Sequence, residues 1–238
     1  MSDIDYLKKY LSKDKLQDGI KRLEKGEPVQ YILGNVDFYG YKINVNKNVL
    51  IPRFETEELV DNTIKLLNKY FKNPKVLEIG TGSGCISIVL KKEIKNIDIT
   101  ATDISKNALE VAKNNAKDNN ADIKFVNTNI YDEINDKFDC IISNPPYISK
   151  KERIMDVVYN NEPHEALFAD NNGLYFYEEI LKNAKSILND KYLICFEIGE
   201  SQANQIKQIA HKYLGNINIE VKKDLQKRDR MIFINNFE

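Results

Sequence analysis

Asn144-Pro145-Pro146-Tyr147 is the segment of this chain whose residue types are best suited to chemistry. Asn144 carries a side-chain carbonyl, and Pro145 offers a backbone carbonyl with no N–H to donate. Two successive prolines disfavour helical geometry in the residue before each and so hold the loop extended. Acceptors held in this way can take both N–H bonds of a planar, weakly nucleophilic nitrogen and aim its lone pair at an electrophilic methyl group. Side-chain amides and the amino groups of bases both have such a nitrogen. Tyr147 can lay its ring on the same flat group, as aromatic side chains do with a flipped base. A strong base is not required, because the alkylated nitrogen is itself a strong acid once formed. Asn144, Pro145, Pro146 and Tyr147 are therefore the expected catalytic set.

A second segment, Gly80-Thr81-Gly82-Ser83-Gly84, follows the apolar run Val76-Leu77-Glu78-Ile79. Glycines between a strand and a helix let a ligand approach the backbone closely at the carboxyl end of a sheet. The loop lacks the Gly-Lys-Ser/Thr ending of a nucleoside-triphosphate site, and Cys85 stands where a dinucleotide fingerprint has its third glycine. The spacing suits S-adenosyl-L-methionine better, whose amino-acid portion lies across such a loop and which leaves as S-adenosyl-L-homocysteine. Asp103, at the end of the next apolar run, can accept hydrogen bonds from two ribose hydroxyls. Glu78 either orients the loop or meets the ammonium of the ligand. His164 has no visible partner in sequence and reads as a solvated loop residue.

These residues need a scaffold that brings them to one edge. From residue 76 onward, β-rich runs at Val76–Ile79, Ile97–Ala101, Ile123–Val126, Phe138–Ile142 and Tyr192–Ile198 alternate with stretches of helical spacing. The helical stretches are Cys85–Glu93, Ser105–Lys117, Leu174–Leu188 and Gln202–Tyr213. Alternation of this kind demands crossovers and hence a parallel sheet. Ile217–Val221 and Met231–Ile234 are joined by KKDLQKRDR, too short for a crossover helix, and predict an antiparallel final pair. Upstream, Tyr31–Val45 reads as a small β unit and Glu55–Phe71 as a helix, after one or two short amphipathic helices in residues 1–25.

Thirty-five basic residues against 36 acidic ones remove any global attraction toward a polyanion, so stable nucleic-acid binding is not expected. Three scattered cysteines without a CxxC and two histidines predict neither disulfides nor a metal site. The charged N-terminus resembles neither a signal peptide nor an anchor, which predicts a cytoplasmic, monomeric protein away from membranes.

The chain resembles the bacterial peptide-chain release-factor glutamine methyltransferases in GEPVQYILG (26–34), VLIPRFETEELV (49–60), VLEIGTGSGCISI (76–88), SNPPYI (143–148), EPHEAL (162–167) and FEIGESQ (196–202). The resemblance implies an α/β, Rossmann-like class I methyltransferase with a seven-stranded, mostly parallel sheet and an antiparallel last strand. It implies that residues 1–50 are a shortened helical and β-hairpin recognition region and 51–238 the transferase domain. Implied too are a protein substrate, the glutamine of the Gly-Gly-Gln motif in release factors, and cofactor contacts at Gly80, Thr81, Gly82, Ser83, Gly84, Asp103 and Asn144. An adenine-side contact is expected at Asn129 or Ile130, and Arg53 and Glu55 are expected to buttress the site. The chain departs from the family pattern at Phe54, Asn129 and Lys227, and in its short N-terminal helical region. A DNA or RNA adenine or cytosine amino-methyltransferase is the alternative, since such enzymes use a similar loop.

Overall fold

The computed structural model describes residues 2–237. Its N-terminal part comprises α1 (Asp3–Tyr10), α2 (Lys13–Glu24), α3 (Val29–Leu33), β1 (Asn35–Phe38), β2 (Tyr41–Asn44) and α4 (Phe54–Tyr70). Then come β3 (Lys75–Ile79), α5 (Cys85–Glu93), β4 (Asp98–Asp103), α6 (Lys106–Asp118), β5 (Lys124–Asn127) and β6 (Phe138–Ser143). A stretch of small elements follows: β7 (Ile148–Ser149), α7 (Asp156–Asn161), β8 (Phe168–Ala169) and α8 (Asp170–Gly173). The chain finishes with α9 (Tyr175–Lys182), α10 (Ala184–Ile187), β9 (Leu188–Glu197), α11 (Ala203–Leu214), β10 (Asn218–Lys223) and β11 (Asp229–Asn235).

Seven strands form one sheet in the order β10-β11-β9-β6-β3-β4-β5. β3, β4, β5, β6 and β9 pair in parallel, whereas β11 runs antiparallel to both β9 and β10. The parallel strands and the antiparallel final pair follow the alternating pattern, and the seven-stranded α/β sheet is the one that the resemblance implies. Strands such as Val76–Ile79 and Phe138–Ser143 are buried almost throughout, as parallel strands covered on both faces must be. One apolar cluster joins the sheet to α4, α5 and the β1–β2 hairpin; the other, on Leu77, Ile141 and Phe196, takes in α9 and α11. Among the described residues no helix is long and apolar enough to cross a membrane.

Three local readings change. Tyr31–Leu33 is helical rather than extended, because Pro28 starts a turn that Gly34 closes in the left-handed conformation (φ 76°). The β unit is thereby confined to β1 and β2, joined by Tyr39 and Gly40, both at positive φ as a two-residue hairpin requires. The helix read over Leu174–Leu188 breaks at Asn183 into α9 and α10, and β9 begins at Leu188, ahead of Tyr192. Lys227, where the family pattern has glycine, sits at φ 66° in the turn between β10 and β11. A side chain there costs about 1 kcal/mol against glycine.

Candidate functional site

Chain order reverses between β3 and β6, which are adjacent in the sheet, so the loops leaving these two strands open side by side at its carboxyl edge. Ser143 at the end of β6 donates to the Ile79 carbonyl at 2.7 Å and ties the two loops together. The glycine loop itself is pinned by Gly80 N–H and Thr81 N–H, each donating to the Thr102 carbonyl at 2.9 Å. A Cβ at Gly80 or Gly82 would meet only open space, whereas one at Gly84 would press on Ala112 at 3.2 Å. The first two glycines thus leave the cleft unobstructed, and the third lets α5 pack on α6. Buried Asn115 of α6 donates to the carbonyls of Ser83 and Asn44, both at 2.9 Å, and so fastens the loop to the β1–β2 hairpin.

Three carboxylates line this cleft: Glu165, which is exposed, and Asp103 and Glu78, which are tied into the loops. Asp103 accepts from Gly82 N–H at 2.9 Å with one oxygen and from Ser105 N–H at 2.8 Å with the other. Each oxygen keeps a second lone pair, enough for a pair of hydroxyl donors. Burial raises the Asp103 carboxyl above its ordinary value, against the backbone N–H bonds that lower it. Glu78 is fully enclosed: its Oε2 accepts from Thr81 Oγ1 (2.8 Å), Ser87 N–H (3.1 Å) and Ser87 Oγ. Its Oε1 has no hydrogen-bond partner among the described residues. Glu78 therefore orients the loop with one oxygen and leaves the other for a ligand. Desolvation pushes this carboxyl up to about 7.

The cleft has a cavity volume of about 160 Å³ and is walled by Ile104, Ile130, Pro163, Phe176 and Ile180 as well as the polar groups above. An unpaired buried carboxylate and a second acid would repel a diphosphate but suit an ammonium group and a pair of ribose hydroxyls. The apolar wall suits a flat heterocycle. Asn129 and Ile130 both line the cleft. Ile130 adopts φ 51°, rare for a β-branched residue, and its carbonyl accepts from Thr102 Oγ1 at 2.8 Å. Such strain at a cleft wall is typical of positions held for binding.

The Asn144 loop forms the end of this cleft, and from its other side a second cavity opens, lined by Pro28, Val29, Gln30, Tyr147, Met155, Val157 and Glu197. The two cavities meet at Asn144. Thr56, in the first turn of α4, accepts from Asn144 Nδ2 at 3.1 Å and donates to Glu197 Oε2 at 2.6 Å. Tyr147 donates to Glu197 Oε1 at 3.2 Å, and Arg230 Nη1 donates to the Tyr147 hydroxyl at 3.4 Å. Gln202 holds the other end of the loop, donating to the Tyr147 carbonyl at 2.9 Å. Burial pushes the Tyr147 phenol well above its ordinary range, so it stays a donor. Burial also raises Glu197, while Thr56, Arg230 and Tyr147 pull it back.

Arg53 pairs with buried Glu162, joining the IPRFET and EPHEAL segments as a salt-bridged buttress. Glu55, the other expected buttress, makes no such pair among the described residues; its neighbour Thr56 reaches the site instead. Sequence reasoning also passed over Glu197, Gln202 and Arg230. A charge inside the apolar run Leu193–Ile198 was the available signal for Glu197, since an unpaired carboxylate is rarely buried. His164 is exposed, its ring tilted against that of Tyr159 with Nε2 against the Tyr159 carbonyl.

Sheet order, glycine loop and proline loop together define a methyltransferase, and the methyltransferase small domain family matches residues 54–191. A release factor glutamine methyltransferase of Streptococcus pneumoniae is 40% identical over 222 residues, covering 92% of this chain and 78% of that protein. Another, from Flavobacterium psychrophilum, is 43% identical over 90% of this chain and 77% of its own length. In fold, the chain is similar to a release factor-specific protein-(glutamine-N5) methyltransferase from Alicyclobacillus acidocaldarius, with a TM-score of 0.52 and 24% identity over 82% of this chain and 99% of that one. This chain belongs to the release factor glutamine methyltransferase family.

Proposed function

We propose that this protein transfers a methyl group from S-adenosyl-L-methionine to the side-chain amide nitrogen of the glutamine in the Gly-Gly-Gln motif of peptide chain release factors. The observation that carries this reading is the meeting of two cavities at Asn144, one lined by Glu78, Asp103 and an apolar wall, the other opening past Tyr147. When bound, S-adenosyl-L-methionine supplies an electrophilic methyl group. Glu78 Oε1 would hold its ammonium, Asp103 its ribose hydroxyls, Asn129 and Ile130 its base, and Gly80, Thr81, Gly82, Ser83 and Gly84 its amino-acid portion. On the target side, the Asn144 side-chain oxygen and the Pro145 carbonyl accept the two N–H bonds of the glutamine amide. Tyr147 and Pro146 limit how the flat amide can lie. Positioning performs most of the work, because among the described residues the Asn144 side chain is hydrogen-bonded to a hydroxyl, Thr56, and not to a base.

The same reading places the protein in the cytoplasm as a monomer without stable nucleic-acid binding. It assigns residues 1–50 to recognition and 51–238 to transfer; Pro28, Val29 and Gln30, which line the second cavity, support that division. Incubation with cofactor and a purified class I release factor is expected to add about 14 Da to the peptide bearing Gly-Gly-Gln, read by mass spectrometry. Labelling of duplex DNA with the release factor left unmodified would replace the glutamine amide by a base amine.

The position of Glu78 sets a pH dependence. With its carboxyl pushed up to about 7, it is ionised above that pH and neutral below it. An ammonium prefers the ionised form, so affinity for S-adenosyl-L-methionine is expected to fall roughly tenfold per unit as pH drops below 7. Titration calorimetry at pH 6 and pH 8 checks this, with Glu78→Gln flattening the profile. Equal affinities in the unaltered protein would remove Glu78 from ammonium binding.

A further inference from the structure

An asparagine amide has nearly the same shape when flipped, but only one orientation can accept an N–H from a target amide. The flipped form would present an NH₂ group to another NH₂ group. The neighbours of Asn144 decide between the two.

Thr56 Oγ1 lies 3.1 Å from Asn144 Nδ2 and 2.6 Å from Glu197 Oε2. A hydroxyl has one hydrogen to give. Glu197 is 2% exposed, and as a carboxylate it only accepts. The single Thr56 hydrogen is therefore committed to Glu197, which leaves Thr56 able to meet Asn144 only as an acceptor, and hence only at Nδ2. Oδ1 is left without a protein donor among the described residues. Thr56 is itself 2% exposed and fixed in the first turn of α4, so water does not compete for its lone pair. The other Glu197 oxygen takes the Tyr147 hydroxyl at 3.2 Å, which Arg230 also contacts.

We propose that Glu197, acting through the Thr56 hydroxyl, is the positioning group that fixes the Asn144 amide with its oxygen toward the target, while its second oxygen anchors Tyr147 at the far end of the same loop. One buried carboxylate thus sets both ends of the reaction loop. The chain of bonds also polarises Asn144: drawing its N–H toward Thr56 enriches the amide oxygen and makes it a stronger acceptor. This inference rests on the reading of Asn144 as the acceptor for the target amide.

Thr56→Val keeps the shape of the side chain and removes the hydroxyl. With S-adenosyl-L-methionine and a purified class I release factor, kcat is expected to fall about 100-fold, the penalty of a misaligned reacting group. KM for S-adenosyl-L-methionine should stay close to that of the unaltered protein, the thermal midpoint should drop because buried Glu197 Oε2 loses its donor, and Thr56→Ser should restore most of the turnover. Unchanged kcat in Thr56→Val, or Thr56→Ser as impaired as Thr56→Val, would overturn the proposal. The side-chain amide signal of Asn144 in ¹⁵N NMR gives an answer without any methyl acceptor. Its protons should exchange slowly with water in the unaltered protein and in Thr56→Ser, and rapidly in Thr56→Val; equal protection in all three would also overturn it. Should the unaltered protein leave the release factor unmethylated, the proposed substrate falls, while the NMR comparison still decides the orientation of Asn144.

Discussion

Replacing Asn144 by alanine is expected to reduce methyl transfer at least about 100-fold, the scale seen when one preorganised hydrogen-bonding group is removed from an active site. The alanine leaves the Pro145 carbonyl as the only acceptor for the target amide, which can then rotate out of line. It also leaves the Thr56 oxygen without the 3.1 Å bond from Nδ2, a modest loss beside the catalytic one. Glu78 and Asp103 belong to other strands and hold their loops through their own hydrogen bonds, so cofactor affinity should remain measurable. Single-turnover transfer together with calorimetric affinity separates the two effects. Undiminished transfer in Asn144→Ala would rule out the proline loop as the reaction centre.

The second large effect is expected at a residue that touches no ligand. Gly173 has φ 85°, and a Cβ built there would stand 2.0 Å from the Tyr147 carbonyl oxygen and 2.6 Å from Gln202 Nε2. The Tyr147 carbonyl is backbone and cannot swing aside as a side-chain tip would. Gln202 is itself committed, accepting from Gly199 N–H at 2.9 Å while donating to Tyr147. Gly173→Ala must therefore displace the loop or break the Gln202 bridge. Left-handed strain and overpacking together should cost about 3 kcal/mol of stability, read as a lower denaturant midpoint. Turnover should fall further than the loss of folded protein explains, because Tyr147 is moved. A midpoint and turnover equal to those of the unaltered protein would show that this contact does not restrain the loop.

Much of this arrangement was legible before the structure. Continuous apolar runs separated by helical spacing gave the parallel sheet, since strands covered on both faces must be apolar throughout. The short polar link after Val221 gave the reversed strand, because no crossover fits in it. The glycine loop and Asn144 loop were legible for the same reason: their residue types restrict the backbone, so local chemistry reveals position. Thr56 and Glu197 lie 141 positions apart and meet only through the fold, so no spacing rule connects them. The two-residue strands β7 and β8 fall below the length at which alternation can be recognised, and they went unread. Tyr31–Leu33 misled because a single helical turn between Pro28 and Gly34 is decided by its caps rather than by periodicity.

The two chambers have only Leu50, Arg53, Asn144 and Ala166 in common as lining residues. Free energies of substitution at positions that share no partner add independently. On the proposed reading, donor affinity at Glu78 and Asp103 and acceptor choice around Val29 and Val157 can accordingly drift apart over generations without disturbing one another. The partition gives such a fold evolvability: a lineage can exchange one acceptor for another while its methyl donor remains the same.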